Sequence, residues 1–172
     1  MKLREIDIQD IERINVWRNN PDIIHLLGNN FLYIAETVDR NWYQQYLNTR
    51  TQNVRLAIIP DDTDNAIGIV NLTGIHAVNR SAEFSIMIGD TDYWGKGIGK
   101  MATLEMLKHG FHNLNLHRIY LYVLTRNSRA IHMYEKVGFQ QEGLLRDAVF
   151  KNGVFEDMVL MSVLQKDFNI LS

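Results

Sequence analysis

The stretch from Ser81 to Leu114 constrains this chain most, because it reads as a strand, a glycine-rich turn and a long amphipathic helix in immediate succession. In Ser81-Ala82-Glu83-Phe84-Ser85-Ile86-Met87-Ile88 a period of two sets Ala82, Phe84, Ile86 and Ile88 on one face, with Glu83, Ser85 and Met87 on the other. After a short polar link, Tyr93-Trp94-Gly95-Lys96-Gly97-Ile98-Gly99-Lys100 leads into a helix. Its apolar residues Ile98, Met101, Leu104, Leu107, Phe111 and Leu114, in steps of three and four, form one stripe.

A helix that opens on glycines offers unpaired backbone N–H groups, the positive end of its dipole, and no side chains to hold a ligand away. That is an anion site. Lys96 and Lys100 add positive charge at an end where the dipole favours an acid, so they point to an external phosphate. The plainer alternative is a corner in which the glycines merely make the turn. Two phosphate loops do not fit. A nucleotide-triphosphate loop needs Ser or Thr after its Gly-Lys pair, but Met101 follows Gly99-Lys100, and Trp94 stands where its first glycine belongs. A dinucleotide fingerprint started at Gly95 would need a glycine where Lys100 lies.

Upstream, residues 2–6 predict a short strand, and Asp7 to Asn20 a helix with Ile8, Ile11, Ile14 and either Trp17 or Arg18 inward, ended by Pro21. The apolar patch Ile23 to Leu27 is broken by Gly28-Asn29-Asn30. Thr37 is the expected N-cap of a second helix, Val38 to Asn48, whose face carries Trp42, Tyr43, Tyr46 and Leu47. Val54 to Ile59 and Ala66 to Thr73 read as a hairpin around Pro60 to Asn65. Downstream, His117 to Leu124 has apolar or aromatic residues on both faces, the pattern of a strand deep in a sheet. Asn127 or Ser128 caps a helix from Arg129 to Val137, with Ala130, Ile131, Tyr134 and Val137 on one face and Gly138 as its stop. Phe139 to Phe150 and Val154 to Leu164 form a hairpin about Lys151-Asn152-Gly153.

Composition narrows the function. With 172 residues, 46% of them apolar, the chain reads as a single domain with one core. Lysine and arginine total 18 against 20 acids, without a basic block, which argues against a nucleic-acid partner. The absence of cysteine removes disulfides, thiolate metal sites and acyl-cysteine chemistry. His109 and His112 lie at i, i+3, but no acid or cysteine completes a set, so no metal is expected. No Gly-x-Ser-x-Gly elbow is present, which sets serine hydrolase chemistry aside. The start, Lys2-Leu3-Arg4-Glu5, lacks the apolar core of a signal peptide, and no apolar run approaches the ~20 residues of a membrane span. The expectation is a cytoplasmic protein with no membrane partner.

Trp94-Gly95-Lys96-Gly97-Ile98-Gly99 resembles the pyrophosphate loop of the GNAT acetyltransferase superfamily: Gln or Arg, two residues, Gly, one residue, Gly or Ala. Trp94 departs at the first position, as an aromatic does in the ribosomal-protein N-terminal acetyltransferases. Asn127 to Phe139 resembles the superfamily's other cofactor motif: Asn, two residues, Ala, three residues, Tyr, then Glu-Lys, one residue and Gly-Phe. Gly143-Leu144-Leu145-Arg146, with Asn152-Gly153 and Asp157, resembles the hairpin of ribosomal-protein and spermidine N-acetyltransferases. The resemblance spans nearly the whole chain and is weakest from Asp22 to Asn53. It implies a mixed α/β fold: one twisted, largely antiparallel sheet flanked by helices and splayed between the strands ending near Ile88 and Leu124. Acetyl-CoA, as cosubstrate, would lie in the gap. The resemblance assigns the pyrophosphate to Trp94, Gly95, Lys96, Gly97, Ile98, Gly99 and Lys100. The pantetheine arm goes to the backbone of Ile86, Met87 and Ile88 and to Asn127 and Ala130, although capping alone also explains Asn127. The first helix pair would lie over the acceptor entrance.

Acetyl transfer from a thioester to an amine needs a deprotonated amine, a stabilised oxyanion and a proton for the departing thiolate. An alkyl amine with a pKa of about 10.4 is mostly protonated at neutral pH, so a carboxylate that takes its proton helps. Glu83 is the candidate base, and an ion pair with Arg80 is the structural alternative. Tyr134 is the candidate acid, placed beside the sulfur by the resemblance, and the alternative is an anchor between its helix and the sheet. Backbone N–H groups near Met87 and Ile88 would polarise the acetyl carbonyl. Direct attack in a ternary complex follows from the missing cysteine. The acceptor is a small-molecule or peptide amine, with a protein N-terminus favoured by the subfamily resemblance. A polyamine fits the tail but not the acid-free run Ile23 to Ala35, and Trp17-Arg18-Asn19-Asn20-Pro21 resembles enzymes that act on amino-sugar nucleotides, the third acceptor class. A non-catalytic acyl-CoA-binding domain is the alternative of another class. A homo-oligomer is compatible with the sequence.

Overall fold

A computed structural model of the chain describes residues 1–171, with side chains through Phe168. Strand β1 (Lys2–Glu5) leads into a single 3-10 turn, Ile8–Asp10, and then helix α1 (Ile11–Arg18). Asp7 and Asp10 cap the turn reciprocally, and the Arg4 guanidinium holds Asp10 through bonds of 2.7 and 2.8 Å. That separate turn leaves Ile8 39% exposed, outside the inward set expected of it, while Ile11, Ile14 and Trp17 are buried. Pro21 does not simply end the helix. It opens α2 (Pro21–Ile24) at the first helical position, where a missing N–H costs nothing, with Asn20 as the capping residue. Helix α3 (Glu36–Asn48) starts before Thr37, which therefore lies inside it rather than capping it. Tyr43 and Tyr46 are buried as the pattern implies, and Leu47 is exposed. Asp39 on α3 is fully buried, paired with Arg18 and bonded by the Asn15 amide at 2.8 Å. This pair ties α1 to α3.

The sheet is built from β1, β2 (Val54–Ile59), β3 (Gly68–His76), β4 (Ser81–Ile88), β5 (Arg118–Leu124), β6 (Gln140–Lys151) and β7 (Val154–Leu164). Their order is β1-β2-β3-β4-β5-β7-β6, antiparallel throughout except where β4 meets β5. Helix α4 (Ile98–Lys108) crosses between those two strands, and α5 (Ser128–Lys136) follows β5. Asn152 and Gly153, with φ of 50° and 85°, make the tight turn between β6 and β7. A short helix, α6 (Gln165–Leu171), follows β7.

The two sheet faces bury different cores. One packs Phe84, Leu72, Ile119 and Met161 against Met106, Leu107 and Phe111 of the α4 region, and the other packs Ala57, Ile59, Ile69 and Met87 beneath α1 and α3. The buried stripe of α4 is Ile98, Ala102, Thr103, Met106 and Leu107, so Met101, expected inside, is 44% exposed. Stepping by four from Ile98 rather than by three shifts the stripe around the helix. One π-helical turn, His109–Asn113, closes the element and keeps Phe111 buried. Strand β5 is not buried on both faces. Ile119, Leu121 and Val123 are inside, whereas Tyr122 is 39% exposed, because the sheet opens beside it.

Candidate active site

The opening arises from how little β4 and β5 pair. Only Ser81 with Arg118, Ala82 with Ile119, and Glu83 with Tyr120 are in register, and each strand then follows its other neighbour. The Gly89 N–H donates to the Ile67 carbonyl at 2.9 Å, which sets the alternation along β4: the amides of Ser85 and Met87 face β3, and those of Ile86 and Ile88 face the gap. The same reasoning from the Gln165 N–H to the His117 carbonyl turns the Tyr122 and Leu124 backbone toward the gap from the other side. Met87 thus has its amide in the β3 ladder, and its side chain borders the cleft. Backbone amides left out of the sheet ladder on a splayed strand are free to donate to other groups.

The glycine turn sits at the wide end of this gap. Gly95 and Gly97 have φ of 81° and 79°, the left-handed region that costs any other residue strain. Gly97 is the N-cap of α4, no side chain caps the first amides, and the first turn holds no acid. A Cβ on Gly97 or Gly99 would meet no atom of the described residues within 4 Å, so open space lies directly over the backbone. Ile98 is buried, which leaves its amide as its contribution to the turn. Lys100 is exposed, and the Lys96 ammonium lies 4.9 Å from the Tyr93 ring centroid. Trp94 has a structural role, since its indole N–H donates to the Ile88 carbonyl at 2.9 Å and ties the turn to the end of β4.

On the opposite wall, Asn127 caps α5 by accepting from the Ala130 N–H at 3.1 Å, while its amide nitrogen donates to the Leu26 carbonyl at 3.0 Å. Both ends of that side chain are occupied by protein, so capping accounts for Asn127. Tyr134 is 8% exposed, packed edge-on against Phe84 and Phe139, and borders the cleft. Its hydroxyl has no partner among the described residues, and burial pushes the phenol pKa above its ordinary value.

Glu83 stands at the last paired position, where the gap opens, between Thr73 and Tyr120 on the same sheet face. The Arg80 alternative does not hold, because that guanidinium bonds the Asn115 carbonyl and side-chain oxygen, each at 2.8 Å. Glu83 has no ion pair or hydrogen bond among the described residues, and burial pushes its carboxyl pKa upward. Glu83, Ser85, Tyr134, the glycine turn and Asn127 all border one cleft of about 1540 Å³.

The same cleft has residues that the sequence pattern does not single out. Arg55 lies in an otherwise apolar strand with its guanidinium 4.8 Å from the Trp42 ring centroid, and Asn71 donates to the Ser85 hydroxyl at 3.1 Å. A charged residue inside Val54-Arg55-Leu56-Ala57 is the available signal. The loop after α2 is clamped from across the cleft. Lys151, buried among the carbonyls of Ile24, Leu27 and Asn29, donates to them at 3.0, 2.8 and 2.5 Å, and Arg126 donates to the His25 carbonyl at 2.6 Å. Among the described residues no cluster of three His, Asp or Glu could hold a metal, and no helix is long and apolar enough to cross a membrane.

Comparison with known proteins agrees with this architecture. The family model described as an acetyltransferase (GNAT) domain matches residues 1–140. A spermidine N(1)-acetyltransferase of Vibrio cholerae is 33% identical over 98% of this chain and 95% of its own length. The Escherichia coli K12 spermidine N(1)-acetyltransferase is 30% identical over 98% of this chain and 88% of its own. The crystal structure of the Vibrio cholerae spermidine N-acetyltransferase in complex with CoA and spermine superposes with a TM-score of 0.91, at 32% identity, covering 98% of this chain and 97% of that one.

Proposed function

The chain belongs to the GNAT acetyltransferase family and is an acetyl-CoA-dependent N-acetyltransferase, and we propose that it acetylates a primary monoamine by direct attack, with Glu83 as base and Tyr134 as proton donor. The observation that carries this reading is Glu83: an unpartnered carboxylate, raised in pKa by burial, at the point where β4 leaves β5.

The residues present fit acetyl-CoA. Open space over Gly97 and Gly99 leaves the α4 amides free for a pyrophosphate, with Lys100 beside them. The gap-facing amides of Ile86 and Ile88 and the backbone of Tyr122 and Leu124 suit an extended amide-bearing arm. When bound, acetyl-CoA supplies an acetyl group already activated as a thioester. Glu83 accepts the proton of the incoming ammonium, directly or through water, and its raised pKa brings it closer to neutral pH, where a base is most effective. The gap-facing amides donate to the carbonyl oxygen as it gains charge. Tyr134 stays protonated because burial raises its pKa. Against a thiol with a pKa of about 8.5, net loss of the phenol proton is uphill, so Tyr134 gives its proton to the sulfur only as it regains one from the acylated nitrogen, which sheds its second proton when the C–S bond breaks. No cysteine is available for an acyl intermediate on the chain.

The acceptor side speaks for a monoamine. The relatives named above act on spermidine, which favours a polyamine as the second reading. In this chain Ile23 to Ala35 contains no acid, Asp39 is consumed by Arg18, and Arg18 and Arg55 both border the cleft. Asp39 neutralises Arg18, so Arg55 is the charge there that repels a polycation. The test is CoA release from acetyl-CoA with polyamines, amino-sugar nucleotides and peptides bearing free N-termini at matched concentration. Turnover confined to monoamines supports the proposal. Preference for spermidine replaces it with the polyamine reading, and tight acetyl-CoA binding without any turnover leaves a binding domain.

A further inference from the structure

Arg55 is the cleft's unexplained charge. It projects from β2 onto the face that carries Glu83, and it forms no ion pair among the described residues. Among the described residues its Nε is buried without a partner, its Nη1 has only a long contact of 3.4 Å to the Asn71 side-chain oxygen, and its Nη2 makes no bond yet is not buried. The plane is held in place: the guanidinium lies 4.8 Å from the Trp42 ring centroid and 5.8 Å from that of Tyr46. Burial, and the nearby Arg18 charge, lower its pKa, whereas a carboxylate partner would raise it. A guanidinium with an open N–H edge, fixed on an aromatic ring, is preorganised for a two-oxygen anion. Arg18 is no competitor for that role, since Asp39 already neutralises it.

We infer that Arg55, held on Trp42 beside Asn71 and Ser85, binds a carboxylate or phosphate of the acceptor, so that the substrate is an amine with an anionic group at its far end. This rests on the acetyltransferase reading above and names its substrate class. Arg55, Asn71 and Ser85 are cross-strand neighbours on β2, β3 and β4, and Glu83 lies two residues along β4 from Ser85. With strands ~4.8 Å apart and a rise of ~3.4 Å per residue, the Arg55 and Glu83 backbone positions are roughly 12 Å apart. Their side chains close part of that distance, which leaves room for several bonds between amine and anion. Asn71, which donates to the Ser85 hydroxyl, and Ser85 itself line the path between them with neutral groups.

The test is a series of acceptors of one length that differ only at the far end: 6-aminohexanoate, 6-aminohexyl phosphate, 6-aminohexanamide and 1,6-diaminohexane. Initial rates of CoA release give kcat/KM for each. The expected order is an anionic acceptor first, the neutral amide roughly 10-fold or more behind, and the diamine last, as for a hydrogen-bonded charge pair. Whichever of carboxylate and phosphate leads identifies the anion. In Arg55→Gln the anion-to-amide ratio falls to about one, through KM, and Arg55→Lys, which keeps the charge without the planar fork, gives an intermediate ratio. The wild-type order needs no variant to fold. Calorimetric binding of 6-acetamidohexanoate against 6-acetamidohexanamide reads the same preference without catalysis. If no amine is acetylated but the carboxylate product still binds tighter through Arg55, the base assignment fails and the anion site stands. A diamine preferred over both anions, or equal binding of the two products, overturns the anion site.

Discussion

Replacing Glu83 by Gln separates a catalytic carboxylate from a structural one, because the two roles predict opposite signs. Glu83 has no cation or hydrogen-bond donor among the described residues, so the substitution breaks no ion pair. What it removes is a partly desolvated charge. An unsatisfied polar group costs ~1–3 kcal/mol when fully buried, and Glu83 is only half-buried, so the expected gain in stability is on the order of 1 kcal/mol or less. For a chain of this size that is a rise in Tm of ~2–4 °C per kcal/mol. The sign with pH follows from the direction of the shift. The folded-state pKa lies above the unfolded one, so the penalty is fully present above the folded pKa, shrinks as pH falls through it and is gone below the unfolded pKa. Glu83→Gln is therefore more stable than wild type at pH 7, and the difference vanishes near pH ~4, the ordinary carboxylate range. Its kcat falls roughly 10²–10⁴-fold, and the acidic limb of the wild-type kcat/KM profile is lost. Thermal melts at both pH values and CoA-release kinetics across pH measure both halves. A variant that melts lower at pH 7 and keeps its turnover would refute the reasoning, since it would mean Glu83 has a structural partner and no catalytic role.

Tyr134→Phe lowers kcat at saturating substrate by about 10-fold or more while acetyl-CoA affinity by calorimetry stays close to wild type; equal kcat removes the proton-donor role. Gly97→Val folds at a cost of ~1–3 kcal/mol, because φ of 79° strains the new residue while its Cβ finds open space, but it loses acetyl-CoA binding. Unchanged affinity there would refute the loop assignment. Asn127→Ala loses the α5 cap and the bond to the Leu26 carbonyl, for ~1–2 kcal/mol and a Tm several degrees lower, whereas Asn127→Ser recovers the cap alone. The Arg118 guanidinium, helped by the Ser162 hydroxyl, pulls the Glu142 carboxyl down to about 2. Its stabilising contribution is therefore present above the unfolded carboxylate pKa and lost as pH falls toward 2. In urea melts from pH 7 downward, Glu142→Gln shows a flatter acid dependence, and an unchanged slope would contradict the pairing.

Strong local periodicity makes much of the fold legible. The alternation in Ser81 to Ile88, the Asn152-Gly153 turn and the Asn127 cap each involve residues close in sequence, and each lies where the pattern implies. The departures also have local causes. Ile8 and Met101 fit an inward stripe in one dimension, but a separate 3-10 turn rotates the first out of the core and a shift to steps of four does the same for the second. Pro21 reads as a stop, although proline suits the first turn of a new helix as well as the end of an old one.

The glycine turn, the strand before it and the tyrosine helix after it carry this family's motifs in a contiguous order of residues, so their resemblance reaches acetyl transfer from the sequence alone. Partners from distant parts of the chain are not legible in that way. That Glu83 stands alone depends on Arg80 turning to Asn115, 35 residues on. That Arg55 remains unpaired depends on Trp42 and Asn71 arriving from a helix and a neighbouring strand, and on Asp39 choosing Arg18 instead. Local pattern records which face a side chain takes, whereas the energy of a charge depends on every group within a few ångströms, and those neighbours are assembled only when the sheet closes.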